Sequence, residues 1–259
     1  MKTITCAALA ALMLGAGACN QASTAREAAP AAVTFAARPD LAKNVDALPR
    51  LVGEGAAVAA INADLDLRDT AARAEGCGDG DDGYARSVSQ PMTGPDFVTV
   101  MITQEYACEG AAHPSSDQTA ITYDLATGKA VDWVAVAPQL ELERVELDGM
   151  PADYVPSLAS TALSAWYSAR VLASTDREHL TDCAELWSTE ALEDKSFKLW
   201  LDAENGGLSV GPDFAHATQA CADTLTLNAE DMHRFGVLPA IVGAVTAAHA
   251  AGAWAPKDE

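Results

Sequence analysis

The fold is decided by residues 96–129, which read DFVTVMITQEYACEGAAHPSSDQTAITYDLATGK. Apolar, aromatic and β-branched residues predict strands over Asp96–Ala107 and Thr119–Leu125. Between the two strands, Gly110–Pro114 predicts a turn, and Thr127-Gly128 predicts a hairpin turn after the second strand. The stretch is therefore expected to form strands that are joined by tight turns.

Helices are predicted on both sides of this stretch. Apolar residues at helical spacing predict helices over Glu54–Ala74 and Ser157–Thr175, and Ser157 is expected to cap the second one. Asn228 is expected to cap a further helix, which Pro239 kinks or splits.

Further strands complete the prediction. Tyr84–Val88 is followed by a turn at Pro91–Pro95, and a hairpin joins Ser196–Asp202 to Leu208–Phe214. Because strands and helices come in clusters, without regular β-α-β alternation, the sequence predicts an α+β fold. We expect an antiparallel or mixed sheet packed with helices in a single compact, disulfide-containing domain.

Residues 1–18 have the pattern of an export signal. Lys2 gives a positive start, Ile4–Leu14 is apolar, and small residues lead to Cys19. The apolar run is too short to span a bilayer, which needs about twenty residues, but it fits a cleavable signal peptide. Cleavage after Ala18 would place Cys19 first in the mature chain, where a lipoprotein carries its lipid. The alternative is ordinary cleavage and a secreted protein.

Cysteine parity favours the lipidated form. With Cys19 modified, the mature chain keeps Cys77, Cys108, Cys183 and Cys221, an even set that can form two bridges in an oxidising compartment. Pairing sequence neighbours gives Cys77–Cys108 and Cys183–Cys221, which is one of three connectivities. Zinc is the rival interpretation, but the chain has no CxxC pair.

The domain bounds follow from composition. The segment after Cys19 is rich in Ala, Ser, Thr and Pro, as flexible linkers are. We predict a signal peptide at 1–18, a lipid-anchored flexible tether at 19–45, an α+β domain at 46–252 with sub-lobes at about 46–136 and 137–252, and a tail at 253–259.

The chain is strongly acidic, with a formal net charge of −21. An acidic surface repels nucleic-acid phosphates and anionic lipid head groups, so we expect no nucleic acid partner and membrane contact through the lipid anchor only. The charge either attracts a basic protein or only keeps the chain soluble. The acidic loop Gly78–Gly83 lacks the spacing of an EF-hand, and the histidines form no HxxxH or HExxH motif, so no metal or cofactor is predicted.

Two motifs resemble a known family. They are Tyr106-Ala-Cys-Glu-Gly-Ala-Ala-His-Pro114 and Ile121-Thr-Tyr-Asp-Leu-Ala-Thr-Gly-Lys129. They resemble an extracytoplasmic domain of unknown function found in the outer part of the anti-sigma-V factor and as an accessory domain beside the catalytic domain of some peptidoglycan deacetylases. Ala111 stands where that family usually has a second Gly. The resemblance covers about Leu48–Val237.

The resemblance implies an α+β domain at the cell envelope and no enzyme, because deacetylase activity in relatives belongs to a separate domain. Some relatives recognise lysozyme or act near peptidoglycan, so a lysozyme-like basic protein or peptidoglycan is an implied ligand. Tyr106, Glu109 and His113, around the predicted turn, are the candidate ligand-binding residues.

We therefore expect a lipoprotein on the periplasmic face of a bacterial membrane, with a domain that binds or senses a ligand. If Cys19 is not lipidated, the protein is secreted. The alternatives are a structural envelope lipoprotein without a small ligand, and a hydrolase that uses carboxylate pairs or His113.

The cysteine assignments predict that the mature protein has no free thiol, because Cys19 carries lipid and the other four cysteines are bridged. Mass spectrometry after alkylation without prior reduction should therefore show no added alkyl group. Two or more alkylated cysteines would contradict the pairing.

Overall fold

The computed structural model describes residues 33–77, 83–145, 147–151, 153–173 and 180–255. The predicted signal peptide, Cys19, the first part of the predicted tether and most of the acidic loop at 78–83 lie outside the described residues. Within the described ranges, no helix is both long enough and apolar enough to cross a membrane.

The helices and strands alternate in groups along the chain, which confirms the predicted α+β class. In chain order they are β1 Phe35–Ala36, β2 Arg50–Leu51, α1 Ala56–Ala72, β3 Tyr84–Thr93, β4 Phe97–Tyr106, β5 Ser115–Asp124, β6 Lys129–Ala130, α2 Trp133–Val136, β7 Glu143–Arg144, β8 Leu158–Ala159, α3 Thr161–Ala173, α4 Leu180–Cys183, α5 Thr189–Leu192, β9 Ser196–Asp202, β10 Gly207–Pro212, β11 Leu225–Leu227, α6 Ala229–Arg234 and α7 Pro239–Ala251, with short 3₁₀ helices at Pro138–Leu140 and His216–Cys221.

Two antiparallel sheets form the centre of the domain. The first sheet has the order β3-β4-β5-β6 and the second has the order β11-β10-β9-β8-β7. The outer face of the first sheet packs against α1 through a core in which the side chains alternate along each strand, as the two-residue period of a strand requires. This core consists of Leu48, Leu51, Ile61, Leu65, Val98, Val100, Ile102, Ile121 and Tyr123.

The inner face of the first sheet packs against the second sheet. Met101 of β4 and Ala120 of β5 contact Trp200 of β9. The other face of the second sheet carries Phe197, Leu199 and Leu201, which belong to the largest core together with residues of α3, α6 and α7. The layers therefore run α1, first sheet, second sheet, helices.

Both disulfides join sequence neighbours. Cys77 is bonded to Cys108, and Cys183 is bonded to Cys221. The first bridge ties the chain after α1 to the end of β4. The second bridge lies in the large core, where both cysteines are buried. Two bridges indicate an extracytoplasmic domain, since disulfides persist in oxidising compartments.

The predicted turn at Pro91–Pro95 is placed too early. Strand β3 continues through Pro91 to Thr93, across a register shift between Ser89 and Met92. A strand tolerates proline at such an irregularity because no ladder hydrogen bond needs its missing N–H. The carbonyl of Pro91 accepts a hydrogen bond from the Ala203 N–H at 2.9 Å, so a contact with the second sheet holds this segment extended.

The predicted cap at Ser157 is wrong, whereas that at Asn228 is confirmed. Helix α3 begins only at Thr161, and the Ser160 hydroxyl accepts the Leu163 N–H at 3.0 Å. Ser157 instead donates its hydroxyl to Asp213. The Asn228 side chain accepts the N–H of Asp231 at 2.9 Å and so caps α6. As expected, Pro239 separates the last two helices, since it starts α7.

The folded domain extends beyond its predicted bounds at both ends. Phe35 and Ala36, within the predicted tether, pair with β2. Val45 forms a bridge to Arg86, and Ala255, within the predicted tail, forms a bridge to Gln90. These segments are held because their backbone groups complete hydrogen bonds at the edges of the domain.

A buried ionic cluster holds the N-terminal segment against α1 and β3. The carboxylate of Asp69 accepts three hydrogen bonds. They come from the guanidinium groups of Arg50, at 2.8 Å, and Arg86, at 2.9 Å, and from the backbone N–H of Leu48, at 3.0 Å. Asp69 and both arginines are buried. The carboxylate of Asp66 also accepts a hydrogen bond from the Arg50 guanidinium, at 2.6 Å, but the Asp66 side chain is 64% exposed.

Removing Asp69 is expected to destabilise the fold much more than removing Asp66. Asp69→Ala leaves the buried Arg86 without its carboxylate and the buried Arg50 with only the exposed Asp66, which lowers the free energy of unfolding by about 3–5 kcal/mol. Asp66→Ala removes an exposed carboxylate and leaves Arg50 its bond to Asp69, so it changes the free energy of unfolding by about 0–1 kcal/mol. Urea unfolding of the two variants measures both values, and equal losses would contradict a structural role for the cluster.

Candidate functional site

A cleft lies where β5 faces the segments 147–151 and 153–157. Its volume is about 550 Å³, and we call it the central cleft. Helix α1 and the ends of β4 and β5 form one wall, whereas β9 and the chain after β10 form the other. The lining residues include Ala71, Ala72, Glu75, Gln104, Tyr106, Ser116, Asp117, Thr119, Leu147, Met150, Tyr154, Lys198, Asp213, Phe214 and Gln219.

Two further cavities continue the central cleft. The outer cleft, of about 400 Å³, shares Gln104, Tyr106 and Asp117 with the central cleft and adds His113. The inner pocket, of about 290 Å³, shares residues that include Arg68, Thr119, Tyr154 and Lys198, and its lining includes Trp133, Phe197 and Leu199. The three cavities therefore follow β5 along most of its length.

Tyr106 lines both the central and the outer cleft, and its ring packs against the buried Tyr84. The ring centroids of Tyr84 and Tyr106 lie 5.1 Å apart. The side-chain amide of Gln104 donates to both hydroxyls, at 2.9 and 3.2 Å, and the Tyr106 hydroxyl donates to Glu75 at 3.5 Å. Burial raises the pKa of Tyr106 well above its usual value, and the nearby charge of Glu75 raises it further. The phenol is therefore a protonated donor at neutral pH.

Lys198 reaches across the cleft from the second sheet to the first. Its ammonium lies 2.6 Å from Asp117 of β5 and 3.2 Å from Asp213, which follows β10. Burial alone lowers the pKa of Lys198, but the charges of Asp117 and Asp213 outweigh it and raise this pKa above 10.5. Lys198 is therefore a fixed positive charge and is unsuited to act as a general base.

Arg68 fixes the opposite side of the cleft. Its guanidinium donates to Asp64 at 2.9 Å and to the carbonyl of Asp153 at 2.8 Å. Tyr123 of β5 also donates to Asp64. These bonds tie α1, β5 and the segment at 153–157 together, so the central cleft has rigid walls.

The structure brings two of the three candidate ligand-binding residues to these cavities. Tyr106 lines the central and outer clefts. His113 lines the outer cleft, where its Nδ1 lies 3.1 Å from the carbonyl oxygen of Pro114. Glu109 lies on an exposed turn and lines none of the three cavities.

Sequence reasoning missed Lys198, Asp117 and Asp213 as site residues. Lys198 and Asp117 are separated by 81 positions, so no short motif joins them. One signal was present: Lys198 interrupts an apolar strand and shares a strand face with Trp200, which packs on the first sheet. A charged residue on an inward face requires a partner.

The chemistry of the site favours binding of a polar ligand. It combines a phenol, two amides, carboxylates and paired cations along a partly apolar cleft, as binding sites for small molecules do. In the described ranges, no group of three or more His, Cys, Asp and Glu side chains could hold a metal ion.

Comparisons with known proteins find similarity among solved structures alone. No known protein family matches the sequence, and no curated protein matches it. Among solved structures, a member of the DUF3298 family from Bacteroides fragilis NCTC 9343 is similar, with a TM-score of 0.39 and 15% sequence identity. The match covers 70% of this chain and 66% of that chain. At this distance the likeness carries no information about function.

Lys198 is expected to stabilise the fold in a pH-dependent manner. Because folding raises its pKa above 10.5, the contribution is complete below that pH and is lost as the pH rises through the folded value. Lys198→Met should therefore lower the free energy of unfolding by about 1–3 kcal/mol at neutral pH, and the difference from the unmodified protein should shrink above pH 10.5.

Urea unfolding between neutral and strongly alkaline pH measures this difference. Lys129→Met, at an exposed position of β6, controls for the loss of a positive charge. A difference that stays constant over the whole pH range would show that Lys198 acts through packing and not through its charge.

Proposed function

We propose that this chain is a binding module of the cell envelope that takes a fragment of peptidoglycan in its central and outer clefts. The observation that carries the proposal is the position of Tyr106, Gln104 and Asp117, which lie where the two clefts meet. An aromatic ring, an amide and a carboxylate are thus presented together at one opening.

The chemistry of the clefts matches that of a wall fragment. Such a fragment carries sugar hydroxyls, amides, an amine and carboxylates, which need donors, acceptors and charges of both signs. The central cleft offers Tyr106 as a donor, Gln104 and Gln219 as amides, and Lys198 between two carboxylates. Leu147 and Met150 are 54% and 42% exposed beside it and offer apolar contacts to methyl groups.

The proposed location rests on the sequence and the disulfides. Both bridges support an oxidising compartment. The signal-like residues 1–18 and the resemblance to the outer domain of the anti-sigma-V factor support the envelope. We therefore propose a lipid anchor on Cys19 at the periplasmic face of the membrane.

A basic protein such as lysozyme is the second candidate ligand. The formal net charge of −21 favours this candidate, since an acidic surface attracts a basic partner and accelerates its association. Such binding should weaken strongly with added salt, whereas binding of a wall fragment in the cleft should depend on salt much less.

Replacing Tyr106 should weaken the binding of wall fragments. Tyr106→Ala removes the ring at the junction of the clefts and should raise the dissociation constant of a soluble muropeptide roughly tenfold or more. Tyr106→Phe keeps the ring but loses the donor, so it should raise the constant by roughly two- to tenfold. Isothermal titration calorimetry with the purified mature protein measures both effects.

Leu238→Ala is the matched control, because Leu238 is 45% exposed and lies outside the three cavities. It should bind as the unmodified protein does. If the unmodified protein shows no heat of binding with muropeptides, the proposal fails. Unchanged binding by Tyr106→Ala would move the site away from these clefts.

A further inference from the structure

Strand β5 has an open outer edge along the clefts. It pairs with β6 only at Tyr123 and Asp124. Over the rest of its length, from Ser115 to Ile121, β4 is its only neighbour among the strands that the structure describes. An open edge carries backbone groups that can pair with another extended chain.

Hydrogen bonds at the end of the strand show which residues face this edge. The N–H of Val131 donates to the carbonyl of Thr122, and the N–H of Gly128 donates to that of Asp124, both at 2.8 Å. Even-numbered residues of β5 therefore direct their backbone groups away from β4. In agreement, the odd-numbered Leu125 donates towards β4, to the carbonyl of Asp96 at 2.9 Å.

The same alternation applies to the open part of the strand. In an antiparallel ladder each residue directs its N–H and C=O to one side, and successive residues alternate. The N–H and C=O groups of Ser116 and Gln118 therefore point to the open edge, whereas those of Asp117 and Thr119 bond to β4. Ser116, Asp117 and Thr119 line the central cleft, so the edge runs along it.

The size of the cleft limits what can pair there. At about 3.3 Å per residue, Ser115–Gln118 offers an edge for three or four residues. A volume of about 550 Å³ suits a small ligand, and the segment at 147–151 flanks the opening. A short extended peptide fits these limits, whereas a sheet edge of another protein does not.

We infer that the edge at Ser116 and Gln118 binds the stem peptide of a wall fragment as an added β-strand. This inference rests on the proposed function and names the part of the ligand that the central cleft recognises. Backbone pairing gives the affinity. Glu75 faces the cleft from one wall and Lys198 from the other, so a peptide with an amine and carboxylates meets both charges.

Three probes separate peptide from glycan recognition. They are a glycan-free stem peptide, a peptide-free glycan of the same wall, and the stem peptide methylated at one backbone nitrogen at a time. We expect the free peptide to bind and the glycan to bind much more weakly. Methylation at alternate nitrogens should weaken binding roughly tenfold, because only alternate N–H groups point to β5.

Gln118→Pro tests the edge from the side of the protein. It removes an N–H that is not used in the ladder with β4, and proline is tolerated on an open strand edge, so the domain should still fold. Binding of the free peptide should fall roughly tenfold or more, whereas Gln118→Ala, which keeps the N–H, should bind much more tightly than Gln118→Pro.

Hydrogen exchange of the unmodified protein gives a second measurement if Gln118→Pro does not fold. Addition of the free peptide should slow exchange at the amides of Ser116 and Gln118. If muropeptides bind but the free peptide neither binds nor slows this exchange, the inference is overturned and the proposed function stands. If no wall fragment binds, both fail.

Discussion

The hydroxyl of Thr122 joins the two sheets that form the walls of the central cleft and the inner pocket. Strand β8 covers β9 only at Ser196 and Phe197, so the N–H of Leu201 lacks a ladder partner. It donates instead to the Thr122 hydroxyl at 3.1 Å, while Thr99 bonds the same hydroxyl at 2.9 Å. A buried N–H left unpaired would cost about 1–3 kcal/mol. This contact therefore fixes how β5 crosses β9, and with it the position of the clefts.

Local patterns predicted those parts of the fold that local chemistry determines. Strand β9 matches its predicted bounds because Phe197, Leu199 and Leu201 recur at every second position and a glycine turn follows. Asn228 caps α6 because its side chain reaches its own helix. Pro91 and Ser157 depart from prediction because partners distant in sequence decide their conformation. The carbonyl of Pro91 accepts a hydrogen bond from the Ala203 N–H, and the Ser157 hydroxyl donates one to Asp213. No window of sequence contains both members of such a pair.

The candidate site divides in the same way. Tyr106 was predicted because it belongs to a contiguous motif at the end of a strand, and the structure places it where two clefts meet. The charges that complete the site come from separate strands, which only the crossing of the two sheets brings together. Glu109 was predicted from the same motif but lines none of the three cavities, so closeness to Tyr106 in sequence does not place a side chain in a cleft. A side chain three positions past a strand end follows the turn, not the strand.

An open strand edge is a liability that an extracytoplasmic protein must control. Here the edge of β5 lies inside a cleft whose walls are fixed by Arg68 on one side and by the Cys77–Cys108 bridge near its outer end. A formal net charge of −21 also keeps copies of the chain apart, which opposes edge-to-edge pairing. The same rigidity favours a small ligand, because a cleft that is already ordered loses little conformational entropy on binding. The fixed walls that shield this edge from other copies of the chain are also what the proposed binding of a short peptide requires.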